Sequence, residues 1–420
     1  MVQIPLPSRL AVGALAHASV GDAARAAALL AGASPLPLDP TRIAVAYSSE
    51  RWFRMDGAQP DAFAALSGFF RTRDGWVRTH GNYPHHAAAL RRALSLAHAD
   101  GKDAAAAAFA ARDAVEVAAA VSARGGVCVP VTPEVPAADE SLRAEPLVDE
   151  RRIGPAAPRP LPGGDPAAPL RGIRVLDLTR VIAGPVGTRT LALLGADVLR
   201  IDSPRLPEIA WQHLDTGHGK RSAQLDLAAP ADRARFDELL DSADVIALGY
   251  RAEALDALGL TPAALADRRP GIVVVRHSAW GDPARRGFDS IVQAASGIAW
   301  IESRDGVMPG ALPAQALDHS AGYLLAAAAM RLLARRADEG GSWLAETSLR
   351  RVAAELLGMP RAAEPEPVGA VVDADGHLQT FEVAGHVVTT TAPALAYAGA
   401  PGAFPAPRPW GRDEPAWLTA

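Results

Sequence analysis

Few residues in this chain have the types and spacing to do chemistry. Asp318 stands at the head of an apolar, alanine-rich run, 319–336, with helical character. An aspartate there has two readings. It caps the helix by accepting bonds from first-turn N–H groups. Alternatively it is a nucleophile, its carboxylate kept ionised by the positive helix end. His319 follows, about 100° further round the helix, and a structural role is expected of it. Lys220 and Arg221 form a basic pair. Of 42 Lys+Arg, lysine occurs only at Lys102 and Lys220. A lysine retained in so arginine-biased a chain points to a local role, although such pairs usually stand in solvent. His85 and His86 read as the start of a surface helix rather than a metal site.

Other chemistries lack their residues. The lone Cys128 excludes an intrachain disulfide framework and any cysteine-cluster metal site; among its apolar neighbours it reads as a buried strand residue. There is no H-E-x-x-H, G-x-S-x-G or G-x-x-x-x-G-K-[ST]. The turn from Thr179 to Gly184 is not G-x-G-x-x-G, so the crevice beyond it is expected to bind something other than NAD or ATP. A net charge of −5 argues against a nucleic-acid partner. No apolar run is long enough for a membrane span. The stretch 10–20 is broken by His17 and lacks a basic start beyond Arg9. A cytoplasmic enzyme is therefore expected.

These residues need a frame. A length of 420 residues suggests two to three domains, and 49% hydrophobic with 21% charged residues is a globular composition. Residues 1–150 are predicted to form a small α+β domain. It would hold a helix over 1–34, a hairpin at Asp74-Gly75, helices over 85–97 and 103–123, and a strand over 127–131. Residues 151–172 are rich in Pro and Gly and read as an extended linker. From 173 to 358 strands (173–178, 197–201, 243–248, 271–276) alternate with helices (184–195, 229–242, 252–257, 262–267). That pattern predicts a doubly wound, Rossmann-like α/β domain with a parallel sheet. Further helices are expected over 289–302, 319–336 and 347–358. A C-terminal extension, 359–420, carries a predicted hairpin around 373–376.

An ordered set of segments resembles the family III CoA-transferases of the CaiB/BaiF type. They are Leu170-Arg171-Gly172 through Gly184-Pro185, Leu194-Gly195-Ala196-Asp197 through Pro204, and Gly219-Lys220-Arg221-Ser222 with Leu225-Asp226-Leu227. The set continues with Ala243-Asp244-Val245-Ile246, with Arg286-Gly287-Phe288-Asp289 through Gln293-Ala294 and Ser296-Gly297, and with Pro313 through Asp318. In the N-terminal half, Phe70-Arg71-Thr72-Arg73-Asp74-Gly75-Trp76 and Arg124-Gly125-Gly126-Val127-Cys128-Val129-Pro130-Val131 resemble the family's small domain, which in its relatives follows the large one. The order here is permuted.

The resemblance implies transfer of CoA from an acyl-CoA to a small carboxylic acid, with Asp318 as nucleophile. An aspartyl anhydride and an aspartyl-CoA thioester would be intermediates. It implies coenzyme A as substrate and no metal or redox cofactor. Lys220, Arg221 and Arg286 would lie near the CoA phosphates, and Val181, Ala183 and Gly184 would contact CoA at the first strand-to-helix turn. A homodimer is implied, with interlocking of its chains left open; the linker is long enough to cross between bodies. Two alternatives stay open. An acyl-CoA racemase on the same scaffold would carry histidine where this chain has Phe288, although His319 keeps that reading alive. A non-catalytic CoA-binding homologue fits the absence of the family's mobile glycine-rich loop and the permuted order; the short Trp280-Gly281-Asp282-Pro283 stretch and Ser203, where relatives often have arginine, are further departures from the family pattern.

Overall fold

The computed structural model describes residues 4–282, 285–363 and 372–418. Residues 1–3 of the first predicted helix, 283–284, and 364–371 and 419–420 of the C-terminal extension lie outside the described residues.

Seven strands form the central sheet. From one edge the order is Asp149–Gly154, Ser342–Ser348, Val273–Ser278, Val245–Leu248, Arg174–Leu178, Asp197–Asp202 and Arg221–Gln224. All neighbours run parallel except Asp149–Gly154, which is antiparallel to Ser342–Ser348. The inner strands are nearly continuous Val, Ile and Leu because both sheet faces are covered. Val175, Val245, Val273 and Trp343 enter one core layer, beneath helices Val12–Ala31, Ala183–Leu193 and Ala316–Glu339. Leu176, Ile246, Val274 and Leu344 enter the other, with Phe236, Leu240 and Leu265 from helices Pro230–Leu240 and Pro262–Arg268. The doubly wound sheet is thus present, with three strands the sequence pattern did not show, one of them the antiparallel edge strand Asp149–Gly154. Arg221–Gln224 is short and polar, and Ser342–Ser348 begins and ends in polar residues, so neither stands out as an apolar run.

The small domain has its own three-stranded sheet, Gly68–Arg71, Trp76–Thr79 and Cys128–Pro130, with Asp74-Gly75 at the hairpin turn. Its core joins Phe70, Val77, Leu90, Phe109 and Val121. The predicted 103–123 helix is two helices, Lys102–Ala110 and Ala114–Ala123. They part at Asp113, where the Ala114 N–H donates to Asp74 of the hairpin at 2.8 Å.

The N-terminal boundary differs from the sequence expectation. Helices Val12–Ala31 and Pro40–Tyr47 pack with Ala316–Glu339 in the large core, not with the small domain. The alanine-rich first helix is apolar on most faces, and such a helix suits the interior of a large core. The small domain's own core draws on residues 66–128, and Asp149–Gly154 already belongs to the large sheet. The small domain is therefore an insertion between two parts of the large body. The linker hugs that body instead of crossing from it: Gly341 N–H donates to Ala156 O at 2.9 Å, and Arg159 pairs with Asp244 at 2.7 Å.

In the C-terminal extension the hairpin is Leu378–Val383 with His386–Thr391, pairing with Arg54–Met55. Its turn is at Ala384-Gly385, with φ 51° and 86°, not at 373–376. Positive φ at both central residues matches the twist of tight hairpins. Further on, Asp413 exchanges hydrogen bonds with Ser222 and covers the Arg221–Gln224 sheet edge.

Candidate active site

Beyond the C-terminal ends of the parallel strands, where open α/β sheets hold their ligands, lies a cavity of about 860 Å³. Its floor carries Val181, Gly249, His277 and Asp318 from the large domain; Tyr83, His85 and His86 from the small domain form one wall.

Asp318 is in the first turn of Ala316–Glu339, not at the cap position, which Gln315 occupies. The carboxylate serving this helix end is Asp289, at the start of helix Asp289–Ala295. It accepts from the Asp318 N–H at 3.0 Å and from the Gln293 amide at 2.5 Å. The Asp318 carboxyl itself has no hydrogen bond or ion pair among the described residues. Burial and then the neighbouring Asp289 charge push its pKa well above the ordinary carboxylate range. Asp289 is raised less, to about 6, because hydrogen bonds oppose its burial. The expected effect of the helix end is thus reversed: its N–H groups serve Asp289, and Asp318 is held as a partnerless acid facing the cavity.

Close backbone approach fixes this helix. Where Ala183–Leu193 crosses Ala316–Glu339, a Cβ on Gly322 would stand 2.5 Å from Ala183 O, and one on Gly187 2.9 Å from Gly322 O. Neither helix has room for a side chain at the crossing, one turn beyond Asp318.

The structure brings together only some of the residues singled out by sequence. Val181 lines the cavity with φ 70°, a conformation rare for a β-branched residue and a mark of strain at functional turns. Arg286 lines it too, exposed and without an ion pair among the described residues. Ala183 and Gly184 do not reach it; they are buried at the start of Ala183–Leu193. Lys220 is also placed differently from expectation. It is buried beneath the turn, donating to Asp177 at 3.0 Å, Thr188 at 2.6 Å and the Pro185 carbonyl at 2.9 Å. Burial pulls it down to about 8, yet Asp177 stays below its usual range with Lys220 beside it, so the pair is ionised at neutral pH. Three protons on three internal acceptors leave nothing for a phosphate. Arg221 points the other way, to Asp197 at 2.6 Å and the Ala416 carbonyl, under the C-terminal extension. His319 stacks on Tyr47 at 5.2 Å inside the core, and burial holds it neutral, pushed down to about 3. It does not reach the cavity.

Cavity residues that the sequence reading left unassigned include Arg251, Arg180 and Tyr83; His86, read from the sequence as the start of a surface helix, is instead buried on the cavity wall. Arg180 and Arg251 follow strands Arg174–Leu178 and Val245–Leu248 within three residues, and position beyond a strand's C-terminal end was a usable signal. Tyr83 and His86 had none, because they come from the other domain. His86 meets Phe288 edge-on at 5.7 Å, and burial pushes it down to about 3.

Comparison with known proteins places this architecture. A model of CoA-transferase family III matches residues 170–393, more than half of the chain. A probable fatty acyl-CoA transferase of Mycobacterium tuberculosis is 30% identical over 230 residues, covering 49% of this chain and 58% of that protein. An acyl-CoA transferase of Gibberella moniliformis is 34% identical over 225 residues, 50% and 40% of the two chains. The chain thus spans about half the length of the curated relatives it matches. A crystal structure of a hypothetical protein from Mycobacterium tuberculosis is 32% identical, with a TM-score of 0.42 over 45% of this chain and 58% of that one.

Proposed function

Because this chain belongs to CoA-transferase family III, we propose that it transfers CoA from an acyl-CoA to a carboxylic acid, with Asp318 as the covalent nucleophile. The observation that carries the reading is the Asp318 carboxyl, without protein partners, at the cavity floor. A partnerless carboxylate is more nucleophilic than one tied down by donors. In the first step Asp318 gives its proton to solvent and its carboxylate oxygen attacks the thioester carbonyl; the C–S bond breaks and the CoA thiolate leaves an acyl-aspartyl anhydride. The thiolate attacks the aspartyl carbonyl and releases the donor acid, giving an aspartyl-CoA thioester. The acceptor carboxylate attacks that carbonyl and expels the thiolate, forming a second anhydride. The thiolate then takes the new acyl group and frees Asp318.

The CoA phosphates are assigned to the mouth of the cavity, where Arg286 and Arg251 stand close enough to repel one another. Lys220 and Arg221 are withdrawn from that role. The chain is proposed to act in the cytoplasm, and as a homodimer, which the family resemblance implies; a monomer by light scattering at micromolar concentration overturns the dimer.

The test is mass spectrometry of the chain after incubation with a panel of acyl-CoAs. A CoA adduct on the Asp318 peptide, absent in Asp318→Asn, is expected. Transfer without that adduct, or undiminished in the variant, overturns the mechanism. A racemase reading keeps one observation in its favour: a neutral imidazole, His86, stands against Phe288 on the cavity wall. Exchange of an α-proton with deuterated water, in place of CoA transfer, would select it.

A further inference from the structure

We infer that Tyr83, through its hydrogen bond to Glu208, is a positioning residue that holds the small-domain wall of the cavity in register with Asp318. This rests on the transferase reading above. Tyr83 Oη donates to Glu208 Oε1 at 2.6 Å, across the two domains. Glu208 lies between strand Asp197–Asp202 and helix Ala210–Thr216, its side chain 1% exposed. It also accepts from Arg200 Nη2 at 2.6 Å and from Arg180 Nε at 3.2 Å. Burial would raise its pKa, but the two guanidinium groups outweigh burial and hold it at about 2. The acceptor is therefore a fixed anion at every working pH, and a hydroxyl donating to a buried anion makes a strong bond.

Tyr83 is tied to the wall on its other side. Its residue caps helix Pro84–Leu94, which carries His85 and His86 into the cavity. The Arg180 guanidinium lies over its ring at 4.8 Å. Its ring neighbours are His80, His85, His86 and Phe288, with His80 stacked on Phe288 at 3.6 Å. Phe288 directly precedes Asp289, whose carboxylate holds the Asp318 N–H. The small domain has a second anchor on the large body, where Thr132 donates to the Ala294 and Ala295 carbonyls at 3.1 and 3.0 Å. The Tyr83–Glu208 bond adds a tie from the cavity wall itself. An acyl group between Asp318 and this wall is aligned only when the wall is seated, and small displacements of reacting groups cost large factors in rate.

Tyr83→Phe keeps the ring and its stacking and removes the hydroxyl alone. In the full chain, kcat for CoA transfer is expected to fall on the order of tenfold, while the Kd for free CoA stays within about twofold and the melting temperature falls only modestly, since Glu208 keeps Arg200 and Arg180 as donors. Amide exchange over 84–94 should quicken, with exchange over 12–31 unaltered. Glu208→Gln should also lower kcat, and the double variant should fall no further than Glu208→Gln alone, since both act through one bond. Unchanged kcat in Tyr83→Phe, or losses that multiply in the double variant, overturns the positioning role. A wild-type chain that transfers no CoA overturns the functional reading and takes this role with it. Unchanged exchange over 84–94 overturns the interdomain bond itself, whatever the chain's activity.

Discussion

Under the first strand-to-helix turn, Asp177 accepts from Thr179 at 2.5 Å, Thr188 at 2.5 Å and Lys220 at 3.0 Å. At the cavity, among the described residues, the Asp318 carboxyl accepts no hydrogen bond and Arg286 has no ion pair. The two regions hold the same residue types, an aspartate and a cation, with opposite partnering. In the first, donors match acceptors, and the carboxylate is held below its usual range. In the second, groups that cost free energy to bury or leave bare are kept without partners. Strain and unmet polar groups persist where something else is to complete them. The lesson is that a charged residue's rarity in a sequence says less about its role than what surrounds it.

That contrast breaks or sharpens by substitution. The largest effect is expected from Asp318→Asn: transfer should fall by at least about a thousandfold, on the scale of losing a covalent nucleophile. Stability should hold or rise, because Asp289 serves the helix end. The sign follows from linkage: a carboxyl whose folded pKa is raised destabilises the native state as pH climbs past the ordinary carboxylate range, and the amide removes that loss. Thermal melts at pH 7 check it. Lys220→Met should do the reverse. Stranding the Asp177 carboxylate should cost ~3–5 kcal/mol by denaturant unfolding, while CoA affinity of the folded fraction is unchanged. A CoA affinity that collapses with intact stability would erase the distinction. Next, Arg286→Ala combined with Arg251→Ala should weaken CoA binding by ~1.5–3 kcal/mol for each charge-assisted bond lost, measured by calorimetry, with little change in melting. The smallest effect is on pH. The rate of adduct formation should rise with pH as Asp318 loses its proton. Asp289→Asn removes the negative neighbour while the amide oxygen can still accept the Asp318 N–H, so the rising limb should move to lower pH.

The sheet was legible because its inner strands are buried on both faces and read as largely apolar runs, as in 272–275 and in 173–178, where only Arg174 and Asp177 interrupt. Asp318 and Arg286 were legible as cavity residues through family resemblance and position. Lys220 was not, because its partner Asp177 sits 43 residues earlier on another strand, and no local pattern says which way a side chain next to a glycine will turn. Arg251 follows a strand end and could have been found. Tyr83, His86 and Glu208 could not, since their meeting depends on how two domains seat. The placement of Val12–Ala31 failed for the same reason: periodicity predicts a helix but not which core receives it.

The burial of Val12–Ala31 against Ala316–Glu339 also has a history in time. The first helix is made about 300 residues before its partner, and at ~5–20 residues per second that interval is on the order of half a minute. Through it, the apolar faces of Leu15, Val20 and Ala27 have no native cover. The small domain, whose core needs only residues 66–128, can close in the meantime. Synthesis thus finishes one lobe while the other still waits for its central helix. The nascent chain's exposure to chaperones, and to aggregation, is set by the distance between those two helices along the chain.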